Sequence, residues 1–150
     1  MNRPECAEWQ SYLHREIPIT AAMGLQVTRL DAQSIELRAP LSLNHNDKNT
    51  GFAGSLFTVA VLAGWSQVML LLRDADLSGQ AVISDSQVRY LKPATADFRA
   101  LASQPSAAAL RTFYEQLGKR GRARLTLTIE VTAGGEPVLR FAGKYAAMLS

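Results

Sequence analysis

The sequence predicts an α+β fold in which one antiparallel β-sheet curls around a single long helix. Three observations predict it. Residues 52–72 carry no charged side chain over 21 positions, which is typical of a helix that is buried on all sides. Segments before and after it alternate apolar and polar residues, as strands with one buried face do. These amphipathic strands need something to wrap, and the uncharged helix is the element that they can cover.

The first half of the chain predicts a helix, two strands and the long helix. A short helix spans residues 5–16, with Trp9 and Leu13 on one side, and Pro18 ends it. Strands follow over 25–31 and 34–40, around a turn at 31–33. The second strand alternates clearly, and its apolar positions are Ile35, Leu37 and Ala39. A polar loop over 42–53 then leads into the long helix, which is predicted from about residue 55 to residue 72.

The second half predicts four more strands and one inserted helix. Strands are expected over 81–91 and 96–103. A helix over 106–118 follows, with Ser106 as its N-cap and Gly118 at its C-terminal stop. The segment "RARLTLTIEVT" alternates without a break, and "AGGE" then turns into a last strand over 137–149.

Composition predicts a single domain over residues 1–150 with a real core, since 47% of the chain is hydrophobic. Charged residues make up only 19%, which favours additional burial at a subunit interface. The single Cys6 excludes an internal disulfide and any cysteine-based metal cluster, and it favours a reducing compartment. The first twenty residues lack the apolar core of a signal peptide. We therefore expect a cytoplasmic protein.

The uncharged segment over 52–72 is long enough to cross a bilayer. Its flanks favour burial inside a globular protein instead, because residues 44–50 are densely polar and residues 73–76 have no strong basic bias. The amphipathic strands also need an apolar element to cover. We therefore expect no membrane contact.

This arrangement is that of the hotdog fold, and two stretches resemble acyl-thioester enzymes of that fold. "VRYLKPA" (88–94) resembles the strand that follows the central helix in many of them. "PLSLNHNDKNTGFAGSLFTVAVLAGWSQVMLLL" (40–72) is more specific. It resembles the thioesterase-like domain of the YiiD C-terminal family and its stand-alone relatives, the MadB-type malonyl-ACP decarboxylases, where ACP is acyl carrier protein. The resemblance runs from about Ile17 to the C-terminus. One departure is Ala53-Gly54, where the family often has two glycines.

The resemblance implies a homodimer or a dimer of dimers, with the acyl thioester lying across the dimer interface and no cofactor. It also implies that the thioester carbonyl lies near the start of the central helix, where unpaired backbone N–H groups stabilise an oxyanion. Gly54 and Ser55 are the residues expected there. The alternative is that Gly54 only permits a tight turn and that Ser55 only caps the helix. The predicted substrate-binding residues are Asn44, Phe52, Gly54, Ser55 and Asp85, and a structural role near the end of the strand is the favoured alternative for Asn44.

The central helix lacks an acid where many thioesterases of this fold carry an Asp or a Glu. The position about two turns into the helix reads Val59, Ala60, Val61 and Leu62. Hydrolysis of a thioester needs a base or a nucleophile. Decarboxylation of a malonyl thioester needs donors to the enolate oxygen, and a nearby acid would repel the carboxylate of the substrate. A loop rich in asparagine before an acid-free helix therefore favours decarboxylation.

Three residues of the polar loop are the predicted catalytic groups. Asn46 is the first choice as the amide donor to the carbonyl oxygen, and the resemblance points to the same residue. An asparagine that only satisfies loop backbone groups is the equally weighted alternative. Thr50 is a second donor or a helix cap, and His45 is a weaker candidate for protonating the enolate. Asp47 and Asp85 are the acids that a hydrolytic reaction would use, and the favoured alternative for each is a surface or hydrogen-bonding acid.

A dense basic set follows the predicted inserted helix. Its members are Lys119, Arg120, Arg122 and Arg124. It is predicted to dock an acidic ACP or to bind the phosphates of coenzyme A, and the alternative is a solvated helix end. No aromatic residues interleave with these cations, so nucleic acid is not expected as a partner. The two histidines and Cys6 lack ligand spacing, so no metal site is expected.

Three hypotheses follow for the function. The first is a malonyl-ACP decarboxylase whose product, acetyl-ACP, feeds the initiation of fatty acid synthesis, a role that the resemblance implies. The second is a thioesterase acting on acyl-ACP or acyl-CoA through Asp47 or through a water held by the amides. The third is a non-catalytic module that binds acyl carriers.

Overall fold

The structure, a computed structural model, describes residues 3–150. Its helices are α1 (Cys6–Glu16), α2 (Ile19–Ala22), α3 (Ala53–Asp74) and α4 (Ala107–Arg120), with a short 3₁₀ turn at Leu41–Leu43. Its strands are β1 (Gln26–Leu30), β2 (Ser34–Ala39), β3 (Gly79–Tyr90), β4 (Phe98–Ser103), β5 (Arg122–Ala133) and β6 (Glu136–Leu149).

The six strands form one antiparallel sheet in the order β1-β2-β4-β5-β6-β3. The sheet curls around α3, which packs against every strand from β2 to β6. The alternation predicted for β5 is confirmed, since Leu125, Leu127, Ile129 and Val131 are buried and the residues between them are exposed. This is the hotdog fold, as predicted.

The helix α3 is the core of the molecule. By length and composition it would pass as a membrane span, but 67% of its most apolar window is buried inside the protein. At its middle, the hydroxyl of Tyr145 on β6 donates a 2.7 Å hydrogen bond to the Val61 carbonyl, and burial raises the pKa of this hydroxyl. Gly64 provides the space, because a Cβ there would lie 2.2 Å from the Tyr145 oxygen. The long helix is therefore seated on the sheet at one defined position.

The inserted helix α4 fills a gap in the sheet. β4 and β5 pair only between residues 98–100 and 131–133, and beyond that point they diverge. Ser106 caps the helix as predicted, because its side-chain oxygen accepts the Ala109 N–H at 3.2 Å. The predicted stop at Gly118 is wrong. The helix continues to Arg120 and ends at Gly121, whose φ of 69° is left-handed and suits glycine.

The two edges of the sheet differ. β1 is short and lies against α1, whose Gln10 side chain accepts the Val27 N–H at 3.0 Å. β3 has 12 residues and pairs only with β6, so its other edge is open among the described residues. Val82 and Tyr90 on this strand are 47% and 51% exposed. A long open edge with exposed apolar residues is a surface that another strand can pair with.

A stripe of half-buried apolar side chains on α3 lies next to this open edge. Phe57, Val61, Trp65 and Met69 recur every four residues and so share one helix face. The Trp65 indole fixes the direction of that face, because its N–H donates to the Ala81 carbonyl of β3 at 2.8 Å. On this side of the subunit, the outer edge of β3 has no strand partner among the described residues and the stripe on α3 is only partly covered.

Candidate functional site

The polar loop before α3 is a tight, closed turn. His45 and Gly51 form an antiparallel bridge at its base. Within it the Asn46 N–H donates to the Thr50 carbonyl at 2.7 Å, and the Asn49 N–H donates to the Asn46 carbonyl at 3.1 Å. Asn49 adopts a left-handed φ of 60°, a conformation that asparagine tolerates better than most residues. The clustering of asparagines in the sequence therefore has a backbone reason.

The Asn46 side chain organises this turn. Its Oδ1 accepts the N–H groups of Lys48 (2.9 Å) and Thr50 (3.1 Å), and its Nδ2 donates to the Thr50 hydroxyl at 2.9 Å. The structural role considered for Asn46 is therefore present. One amide hydrogen on Nδ2 has no acceptor within the described part of the chain. The Thr50 hydroxyl accepts from Asn46 Nδ2 and lies 3.2 Å from Asn46 Oδ1, to which it donates, so it has to rotate before it can donate to a ligand.

The start of α3 offers two further donors. Phe52 is the N-cap residue, and no side chain within residues 3–150 caps the helix. The Ser55 and Leu56 N–H groups both donate to the Phe52 carbonyl at 3.0 Å. The Ala53 and Gly54 N–H groups have no acceptor among residues 3–150. These two groups lie at the positive end of a helix of 22 residues. Neither Ser55 nor Thr50 is a cap, so that alternative is wrong for both residues.

Gly54 makes room for an aromatic ring. A Cβ on Gly54 would lie 2.5 Å from the Phe52 ring, which covers this residue and is itself 53% exposed. The backbone of Gly54 is helical, so a tight turn is not its reason. The close backbone approach occurs instead at Gly51, which donates to the Ala94 carbonyl at 2.8 Å and whose Cβ would lie 2.9 Å from the Ala94 Cβ.

A surface depression of about 390 Å³ lies between this turn, the helix start and the end of β3. The Tyr90 hydroxyl donates to the Ala53 carbonyl at 3.2 Å and so joins β3 to the helix start. The lining contains no carboxylate and two ammonium groups, Lys48 and Lys92. The lining residues are Asn46, Lys48, Thr50, Gly51, Ala53, Leu56, Tyr90, Leu91, Lys92 and Pro93.

The structure brings Asn46, Thr50 and the helix start together, as the sequence predicts. Sequence reasoning missed Tyr90 and the two lysines. The quoted segment "VRYLKPA" contains Tyr90 and Lys92, so its tyrosine and lysine were the available signal. Lys92 pairs with Glu136, and this pairing lowers the pKa of the Glu136 carboxyl.

Three residues of the loop region face away from the depression or are used elsewhere. Asn44 is buried, and its amide donates to the carbonyls of Met23 and Pro40, both at 2.8 Å. The Asn44 carbonyl accepts the Phe52 N–H at 2.8 Å, which makes Asn44 a support for the helix start. The His45 side chain is exposed and its Nδ1 lies 3.0 Å from the Asn46 carbonyl oxygen. The Asp47 side chain is 82% exposed and lies near Lys48.

Asp85 does not line the depression. A β-bulge between Ile83 and Asp85 interrupts the pairing of β3 with β6. Asp85 is exposed, lies opposite Lys144, and accepts the N–H of Ser86 at 2.9 Å. The bulge breaks the alternation along β3, and a strand-period argument from the sequence does not detect it.

The basic set, which we call the basic patch (Lys119, Arg120, Arg122 and Arg124), lies at the other end of the sheet. Lys119 and Arg120 end α4, while Arg122 and Arg124 are on the exposed face of β5. A depression of about 630 Å³ includes the three arginines beside Ala146 and Met148. None of the three arginines forms an ion pair with another residue of the described chain. The patch is therefore an open cationic surface.

No group of three or more His, Cys, Asp or Glu side chains within residues 3–150 is arranged to hold a metal ion. The chemistry available at the turn is hydrogen-bond donation from the Asn46 amide and from the first backbone N–H groups of α3, with the Thr50 hydroxyl as a further donor after rotation. Donors such as the Asn46 amide and the Ala53 N–H, whose residues both line the depression, can stabilise negative charge on an oxygen atom of a bound ligand.

Solved structures of bacterial proteins have the same fold over nearly the whole chain. A Chlorobaculum tepidum protein of unknown function is 27% identical, with a TM-score of 0.91, and the match covers 97% of this chain and 94% of that one. A Shewanella oneidensis protein described as a "putative thioesterase" is 26% identical, with a TM-score of 0.84 and coverage of 95% and 96%. A Pseudomonas aeruginosa protein described as a "Probable Thioesterase" is 26% identical, with a TM-score of 0.84 and full coverage of both chains (100% and 100%).

The family comparison agrees with these structures. Residues 6–149 match the family described as "Putative thioesterase (yiiD_Cterm)". The match extends from α1 to the end of β6 and includes the polar turn, the central helix and the depression between them. This chain therefore belongs to the YiiD C-terminal thioesterase family.

Proposed function

We propose that this protein is a decarboxylase that converts a malonyl thioester carried by ACP into an acetyl thioester. One observation carries the proposal. The depression at the start of α3 has amide, hydroxyl and ammonium groups as its polar lining, beside apolar residues such as Leu56 and Leu91, and its lining has no carboxylate. Such a lining suits a substrate that brings its own negative charge.

The reaction requires stabilisation of one oxygen atom. The bond between the malonyl carboxylate carbon and the methylene carbon breaks, carbon dioxide leaves, and the electron pair moves into the thioester as an enolate. The free amide hydrogen of Asn46 and the Ala53 N–H are the first donors to that enolate oxygen, and the Thr50 hydroxyl adds a donor once it rotates away from Asn46 Oδ1. A proton from water then adds to the methylene carbon and gives the acetyl group, since His45 lies outside the lining of the depression.

The lysines of the depression support the same substrate. Lys48 and Lys92 can contact a carboxylate-bearing acyl group from the lining, although each also pairs with an acid of this chain, Lys48 with Asp47 at 3.3 Å and Lys92 with Glu136. A carboxylate in the lining would oppose both the charge of the substrate and the developing enolate. The exposed position of Asp47 keeps that acid out of the lining.

Hydrolysis of an acyl thioester is the second candidate, and the family description supports it. The same donors would stabilise the tetrahedral oxyanion of hydrolysis. Water would then need activation by Asp47 or orientation by the amides of the turn.

Mass spectrometry of ACP after incubation with the protein tests the proposal. Malonyl-ACP converted to acetyl-ACP supports decarboxylation, and release of free ACP with malonate supports hydrolysis. Unchanged malonyl-ACP, with acetyl-ACP and longer acyl-ACPs also unchanged, supports a binding module without catalytic activity. The second and third results would each contradict the proposed reaction.

A homodimer, or a dimer of dimers, is part of this proposal. The open edge of β3 and the half-buried stripe on α3 adjoin the depression, so a second subunit placed there would close the acyl site. Light scattering at micromolar concentration should give at least twice the mass of the 16.4 kDa chain. A monomer would contradict the assembly. A cytoplasmic location stays a prediction.

A further inference from the structure

We propose that the basic patch of one subunit docks the ACP whose acyl group reacts at the turn of the other subunit. This inference rests on the proposed function and adds a division of labour between the two subunits. It follows from the register of three neighbouring strands and from the open edge of β3.

Within one subunit the basic patch and the turn lie at opposite ends of the sheet. Arg124 pairs with Ala146 of β6, and Ala146 pairs with Val82 near the start of β3. The turn lies at the other end of β3, where Tyr90 bonds to the helix start. Val82 and Tyr90 are eight residues apart, a distance of about 26 Å along a strand. A carrier docked on the patch is therefore far from the turn of its own subunit.

A second copy reverses this relation. β3 is the long open edge, whereas β1, the other edge, lies against α1. Antiparallel pairing of β3 with itself about a two-fold axis places the start of one β3 beside the end of the other. The partner subunit's Arg124 then lies three strand spacings, or about 14 Å, to the side of the end of the first β3. The offset of about 26 Å along the strand is absent in this arrangement. The trans distance is about half the cis distance.

The basic patch suits an acidic protein surface. Its four cations are spread over the end of α4 and two positions of an exposed strand face, and its three arginines have no ion-pair partner within the described residues. Ala146 and Met148 provide apolar contact between these cations. A broad cationic surface with unpaired guanidinium groups is complementary to an acidic carrier domain. The flexible pantetheine arm of the carrier would then reach the nearer turn.

Heterodimers with two different tags test the arrangement. One subunit carries Arg122→Glu with Arg124→Glu, which reverses the patch. The other carries Asn46→Asp with Ala53→Trp, which removes a donor and fills the depression. Tandem affinity purification isolates the mixed dimer. If docking is in trans, the intact turn faces the intact patch, and the mixed dimer should keep about half of the wild-type turnover of acyl-ACP.

The matched control places all four substitutions on one subunit and pairs it with a wild-type subunit. In trans docking the intact turn then faces the reversed patch, so turnover of acyl-ACP should fall at least tenfold below that of the first heterodimer. Docking in cis predicts the opposite ranking of the two heterodimers and would overturn the inference. Equal turnover of both heterodimers, or a monomeric protein, would overturn it as well.

The same substrates on coenzyme A distinguish the carrier from other sources of negative charge. Both heterodimers should turn over the CoA-linked substrate at about half of the wild-type rate, because a protein surface is not needed. Equal losses on ACP-linked and CoA-linked substrates would overturn the assignment of the patch to a carrier protein. Absence of turnover in the wild-type protein would instead refute the proposed function, so the two failures are distinguishable.

Discussion

Asn46→Asp separates the two roles of the asparagine in the turn. The substituted side chain keeps an oxygen in the position of Oδ1, which accepts the N–H groups of Lys48 and Thr50 at 2.9 and 3.1 Å. It replaces the Nδ2 donor by a second acceptor, and the Thr50 hydroxyl can rotate to donate to it. The turn should therefore persist while the free amide hydrogen is lost and a negative charge is added.

The magnitudes follow from the count of hydrogen bonds. Because the side-chain oxygen still accepts both backbone N–H groups, the free energy of unfolding should change by less than about 1 kcal/mol. Removal of one donor to an oxyanion typically lowers kcat by about 10²–10³, or roughly 3–4 kcal/mol. Asn46→Ala loses every side-chain hydrogen bond to Lys48 and Thr50, at about 1 kcal/mol each, and should lower stability as well as kcat.

The assay compares kcat on malonyl-ACP with stability from urea unfolding for each variant. Asp47→Asn is the matched control, because its side chain is 82% exposed and outside the lining of the depression. It should leave kcat within about twofold of wild type. An unchanged kcat in Asn46→Asp, or a large loss in Asp47→Asn with Asn46→Asp silent, would refute the reasoning and favour hydrolysis through Asp47.

Three further predictions concern the fold and its link to the site. Gly64→Ala forces a Cβ to within 2.2 Å of the Tyr145 oxygen and should lower the free energy of unfolding by about 1–3 kcal/mol. In Gly118→Ala, the matched control in α4, the new Cβ has no atom within 4 Å, so this change should raise the free energy of unfolding by up to about 1 kcal/mol. Equal urea midpoints for the two variants would contradict this packing. Asp31 accepts hydrogen bonds from the Gln33 and Ser34 N–H groups and from the Arg29 guanidinium. These bonds hold the pKa of the Asp31 carboxyl well below its usual 3.8. The stability that Asp31 adds is therefore complete above about pH 4, and it is lost as the pH falls toward the lowered pKa. Asp31→Asn should therefore be less stable than wild type at pH 6, with the gap narrowing below about pH 4, and a gap independent of pH would refute this. Tyr90→Phe removes the 3.2 Å hydrogen bond to the Ala53 carbonyl. The loss in kcat, expressed as a free energy, should exceed the loss in the free energy of unfolding. Equal losses would indicate a purely structural role.

Most of the fold could be predicted from the sequence because its signals are local. The uncharged run that became α3 and the alternation of β5 depend on the spacing of apolar residues along the chain. The Ser106 cap depends on a side chain and an N–H three residues away. The end of α4 shows the limit of such signals, since Gly118 is tolerated inside the helix and Gly121 takes the left-handed conformation that ends it.

The fold class, the asparagine-rich turn and the acid-free stretch over residues 52–72 can all be predicted from the sequence, because each depends on consecutive residues. Which groups share the site depends on tertiary contacts. Tyr90 reaches the helix start only after β3 has paired with β6 and curled around α3, and a single bulge keeps Asp85 away from it. The distance between the basic patch and the turn is likewise a property of strand register. Register depends on pairing between segments far apart in the chain, and the spacing of residues within one segment does not encode it.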